Sequence, residues 1–143
     1  MSERRIESID DTVQKTHIWL NEVAEELHTN DKHEAYLVLR AFLHALRDRL
    51  TVDEAAQLSA QLPTLIRGIY FEGWDPSRVP DRVRDRDAFL ERVSKEAIVP
   101  PREIDPVRAV RACWQVLARH VSAGEIEDVR SSLPKAIRDL VES

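Results

Sequence analysis

The sequence predicts an all-α fold of two tandem four-helix repeats, about eight helices in all, packed with pseudo-twofold symmetry. Three observations predict it. The chain has only three glycines in 143 residues and is rich in Ala, Leu, Arg and Glu, which favours helix over strand. Apolar residues recur at spacings of three and four, the period of a helix with one buried face. The hexamer LPTLIR at 62–67 returns as LPKAIR at 133–138.

The hexamers belong to a longer duplication. Residues 35–70 superpose on 106–141 at a shift of 71, which matches Arg40, Ala41, Leu46, Glu54, Leu62, Pro63, Ile66 and Arg67 with Arg111, Ala112, Leu117, Glu125, Leu133, Pro134, Ile137 and Arg138. A shift of 70 places Trp19, Leu20 and Val23 on Phe89, Leu90 and Val93. Self-similarity at this period is the mark of a repeated structural unit. The units are read as 1–74 and 88–143, joined by a linker at 75–87, together forming one compact fold.

The first helix of each unit carries Val13, Leu20, Val23, Ala24 and Leu27, or, in a shorter copy, Phe89, Leu90 and Val93. The second has Ala35, Leu39, Phe42, Leu43, Leu46 and Leu50, answered by Pro106, Val110, Cys113, Trp114, Leu117 and Val121. Asp31 and Asp105 can cap its start, and Pro106 suits a first helical position. The third opens on a predicted capping box, Thr51 with Glu54 and Ser122 with Glu125, in which the hydroxyl accepts an amide proton and the glutamate reaches back to the cap N–H. Proline then ends it near Gln61 or Ser132. A short fourth helix follows, with Leu62, Leu65, Ile66 and Ile69, or Leu133, Ala136, Ile137 and Leu140, as its apolar stripe. Arg67 and Arg138 project away from that stripe.

Composition limits the function. The net charge of −5 gives no general pull toward nucleic acid or anionic lipid. No leader or membrane-spanning run is read, so a cytoplasmic location is expected and neither nucleic acid nor membrane is an expected partner. The single cysteine, Cys113, excludes an internal disulfide and reads as a small buried hydrophobe.

At the joint, Tyr70, Phe71 and Trp74 precede a Gly73 and Asp75-Pro76 chain reversal and an Arg/Asp alternation. Two readings stand open for the aromatics: a wedge packing the halves together, or an exposed patch that receives a partner. The run RAFLHALRDRLTVDEAAQLSAQLPTLIRGIYFEGWDP, with the later FLERV, GEIEDVRSSLP and IRDL, resembles the bacterial domain of unknown function 2267 family from about Thr16 onward. Phe71 stands where that pattern favours Tyr. The resemblance implies a small helical protein with a stress-associated role, no established activity and no catalytic residues to carry over.

No phosphate-binding glycine loop, nucleophile elbow, HExxH or EF-hand pattern is present. His33 and His44 are about 16 Å apart along one helix and cannot grip one metal. His28 and His33, with Glu25, Glu26 or Asp31, make at most a surface arrangement, and no metal or cofactor is expected. The matched arginines Arg40, Arg67, Arg111 and Arg138 are the candidate binding residues, with Tyr70 and Trp74. They read either as repeated salt bridges and helix-dipole contacts or as paired guanidinium groups for carboxylates or phosphates. The resulting expectation is a noncatalytic interaction module for another protein or a second copy. The alternative is a small-ligand binder, conceivably an enzyme, with a pocket between the halves lined by Tyr70, Trp74 and the arginines. Nucleic-acid binding through the Arg-rich linker is a third reading, opposed by the charge balance.

Overall fold

The computed structural model describes residues 4–97 and 105–142. The described residues form α1 (Glu7–Leu27), α2 (Lys32–Arg47), α3 (Val52–Ser59), α4 (Thr64–Phe71), α5 (Arg86–Glu96), α6 (Pro106–His120), α7 (Ala123–Ser132) and α8 (Lys135–Glu142), with a single 3₁₀ turn at Pro76–Arg78 and no strand among them. The all-helical expectation is met.

Short polar side chains start α2, α3, α5, α6 and α7. Asp31 accepts from the His33 and Glu34 amides at 2.9 and 3.3 Å, Asp85 from Ala88 at 2.7 Å, and Asp105 from Val107 at 3.0 Å, with Pro106 at the first helical position. Thr51 and Ser122 accept from the Glu54 and Glu125 amides, 3.1 and 3.2 Å away. The other half of each capping box is not formed. The Ser122 N–H donates instead to Gln61 Oε1 at 2.7 Å, and neither glutamate is seen bonding back to its cap.

The proline corners form as the sequence implies. After α3 the Gln61 and Leu62 amides turn back to the Leu58 and Ser59 carbonyls, and Pro63 caps α4 in an extended conformation. The α4 stripe differs from the expectation in register. Leu62, Ile66 and Tyr70 are buried, whereas Leu65 is 41% exposed and Ile69 only half-buried. The buried line of α4 and its corner runs at a spacing of four, which carries Tyr70 inward and Leu65 outward. Likewise Leu133, Ile137, Leu140 and Val141 of the last corner and α8 are buried while Ala136 is exposed. Full burial of a side chain such as Ile66 or Ile137 stabilises the fold by about 1.5–3 kcal/mol.

The helices of the two sequence units interleave. α1 packs on α2, α4 and α6; α2 also packs on α4, α5 and α6; α3 meets α7; and α8 rests on α5 and α6. One buried cluster draws residues from all eight helices, including Trp19, Phe42, Leu58, Ile66, Phe89, Leu117, Val129 and Ile137. Two backbone positions close turns in the left-handed region: His28 (φ 55°), where the Thr29 amide returns to Ala24 O after α1, and Gly73 (φ 76°), where Trp74 N returns to Phe71 O.

The linker is pinned. Asp81 N donates to Asp48 O at 2.7 Å, Arg49 holds the Asp81 carbonyl and carboxylate, and Arg92 bridges the Asp48 and Asp81 carboxylates.

Candidate functional site

Of the arginines matched by the 71-residue shift, Arg67 and Arg111 reach helix-end carbonyls, and the reason is elementary. The last turn of a helix leaves carbonyls without intrahelical partners. Arg67 turns back from α4 to the end of α3, where its Nε donates to Ser59 O at 2.8 Å and its Nη2 to Leu62 O at 3.1 Å. Arg111, on α6, donates from Nε to Leu140 O in α8 at 3.1 Å. Arg40, on α2, pairs instead with the carboxylates of Glu72 and Glu96. The hydrogen bond and charge of Arg40 hold the exposed Glu72 carboxyl below its usual range. Arg138 makes no hydrogen bond or ion pair with a described residue. The four matched arginines therefore have four different surroundings.

Two further residues, His44 and Arg47, complete the basic edge of α2, and neither is among the binding residues expected from the sequence. His44 follows Arg40 by one turn and is buried, its Nδ1 2.7 Å from Glu96 Oε2 and its Nε2 2.7 Å from Ile69 O. A carbonyl only accepts, so Nε2 carries a proton. Arg47 is buried and donates from Nη1 to Tyr70 O at 2.6 Å and Glu72 O at 2.7 Å, and from Nε to Asp48 Oδ1 at 3.0 Å. Together His44 and Arg47 satisfy the carbonyl end of α4. A usable signal was present: Arg47 lies four residues after Leu43 and so on the buried face.

Tyr70 is fully buried, its hydroxyl donating to Ala55 O at 3.0 Å, and burial raises its phenol. Its ring meets Phe71 edge-on at 4.9 Å, and Phe71 meets Trp74 at 5.1 Å. Phe71 and Trp74 are half-buried and packed on the core. A fully buried Tyr70 lines no open cleft.

A cleft of about 430 Å³ does open between α1, the corner before α4, and the end of α6, lined by Lys15, Ile18, Trp19, Gln61, Leu62, Pro63 and His120. None of the four arginines, Tyr70 or Trp74 lines it. Its wall is built by the Trp19 ring stacked on His120 at 4.8 Å, with His120 Nε2 2.8 Å from Glu22 Oε2 and Arg119 paired with Glu22 and Glu26. Burial alone would raise the Glu22 carboxyl, but the hydrogen bonds and charges of His120 and Arg119 outweigh it and lower the group.

Cys113 is fully buried, which pushes its thiol up and leaves it unreactive in the fold. His28 sits at the left-handed end of α1, His33 stacks on Tyr36, and Asp31 is occupied by its cap. Among the described residues no three metal-ligating side chains converge.

The geometry thus offers a helical scaffold in which Arg40, Arg67 and Arg111 bind carboxylates and backbone carbonyls of the fold itself. A family model described as "Uncharacterized conserved protein (DUF2267)" matches residues 16–140. The chain belongs to this family. The family match spans α2 through α7 whole, takes in most of α1 and α8, and leaves out the first turns of α1. No curated protein matches the chain. None of the helices among the described residues is long and apolar enough to cross a membrane.

Proposed function

We propose that the protein is a noncatalytic, stress-associated interaction module of the cytoplasm that docks another protein, or a second copy of itself, on the amino-terminal half of α1. The observation that carries this reading is an apolar stripe that runs out of the core. Thr16, Val23 and Ala24 of α1 are buried, but Val13, Ile9 and Ile6 on the same side of the helix are 40%, 54% and 59% exposed. Leu65, 41% exposed, stands beside the same stretch, because its amide donates to Thr12 Oγ1 at 2.9 Å. Arg40, Arg67 and Arg111 supply no competing site, since each already holds an acceptor of the fold.

The test is to place a charge in the stripe. An I9D/V13D double variant should keep the helical spectrum and unfolding midpoint of the parent while abolishing self-association in sedimentation or partner recovery from native lysate. A parent that sediments as a monomer and recovers no partner overturns the proposal.

A second reading, a small-ligand binder conceivably acting as an enzyme, is favoured by the cleft at Trp19 and His120, which lies between the two sequence units. It expects a small molecule to raise the thermal midpoint, and W19A or H120A to remove that rise.

A further inference from the structure

We infer that Glu54 and Glu125, the two glutamates superposed by the 71-residue duplication, form a carboxyl–carboxylate pair that holds α3 against α7 through one shared proton and loosens that contact when both ionise. Each is the third residue of its helix, and their helices pack on one another. Glu125 is 7% exposed. Glu54 Oε1 and Glu125 Oε2 are both buried, and neither receives a donor from any other side chain or amide. Two buried carboxylate oxygens without donors are untenable together, and a single proton between them resolves both.

The neighbouring groups leave no other solution. From α7, Asp128 adds a further negative charge. From α4, Tyr70 approaches, but its hydroxyl is committed to Ala55 O. From α2, Arg47 reaches toward Tyr70 but is spent on the Tyr70 and Glu72 carbonyls and on Asp48, itself a further anion near Tyr70. No described cation therefore neutralises the pair. The amino ends of α3 and α7 favour one negative charge but not two at close range. Burial, then the hydrogen bond and charge of Glu54, then Asp128, push the Glu125 carboxyl up to about 7. Glu125 thus retains its proton, donated toward the Glu54 carboxylate, up to near neutrality.

The sign follows from linkage. The folded value lies above the ordinary 4.5, so the stabilisation is complete below about that pH and is lost as pH rises through about 7. Urea unfolding of the parent, E54Q and E125Q from pH 5 to 8.5 tests it. A glutamine amide donates permanently to the remaining carboxylate and replaces the shared proton. The parent's folding constant should fall on the order of one hundredfold more across this range than that of E125Q, with E54Q behaving alike. Parallel profiles for parent and variants overturn the inference. Should a variant fail to fold, carboxyl ¹³C shifts of the native protein decide: one glutamate titrating near neutrality supports the shared proton, and all glutamates titrating below about pH 5.5 refutes it.

Discussion

Arg67 and Arg138 are the same residue in the same phrase of the duplicated sequence, and their surroundings imply different costs of removal. Arg67 makes two charge-assisted hydrogen bonds to the carbonyl end of α3. Such bonds are worth about 1.5–3 kcal/mol each when well shielded. The side chain is only half-buried, and Ser59 O keeps a second donor in the Leu62 amide, so the lower part of the range applies and Leu62 O is the acceptor stranded. Arg67→Ala should therefore cost about 2 kcal/mol. Arg138→Ala, at a position with no described hydrogen bond or ion pair, should change stability by no more than about 0.5 kcal/mol. At this chain length the difference corresponds to about 4–6 °C in midpoint. Urea denaturation of both variants at one pH, with unchanged slope, is the assay. Equal losses, or a larger loss for Arg138→Ala, would refute the reasoning that helix-end carbonyls decide where these arginines matter.

Other outcomes follow from the same geometry. Arg47→Met should cost about 3–5 kcal/mol, because it strands two carbonyls and weakens the hold on Asp48 in a buried site; an equilibrium unfolding curve measures it, and a change under about 1 kcal/mol contradicts it. Cys113 should resist thiol reagents in the folded protein at pH 8 and react fully in denaturant, since burial raises its thiol; rapid labelling of the native chain is the contrary result. Glu22, lowered by His120 and Arg119, stabilises above its ordinary pKa of 4.5 and loses that contribution as pH falls through its folded value. E22Q should therefore be less stable than the parent at pH 7 and converge with it toward pH 3 in thermal melts.

Helix order, the proline corners and most caps were legible because each depends on residues within about four positions of one another. The failures share a different character. For α4 the apolar spacing favours Leu65 over Tyr70 because an eight-residue helix makes little more than two turns, so several apolar stripes fit and packing against α1 and α2 decides between them. Glu54 and Glu125 were read as capping residues because a capping box is a local pattern, whereas their encounter depends on α3 meeting α7. The sequence does not mark His44 and Arg47 as partners of the backbone because their acceptors, Ile69 O, Tyr70 O and Glu72 O, are backbone groups that carry no residue-type signature.

The matched arginines show why identity under the 71-residue shift is a poor guide to a binding site here. Ile69 O and Leu140 O match under the 71-residue shift, and each, in the last turn of its helix, receives a side-chain donor from α2 or α6. In the second unit Arg111 supplies it. In the first, its counterpart Arg40 is drawn to Glu72 and Glu96, and the duty passes to His44 one turn further along α2. What the two stretches share is a last-turn carbonyl that takes a side-chain donor, Ile69 O accepting from the Glu72 amide at 3.3 Å as well, and the residue that answers it differs. Matched charges here therefore report the demands of the scaffold. Of the helix pairs that match under the shift, α1 and α5 differ most in length, 21 residues against 11. The turns of α1 that precede the match carry Ile9 and Val13, just after Ile6 at its cap, and these are three of the six large apolar side chains left exposed among the described residues, the others being Ile18, Val52 and Leu65.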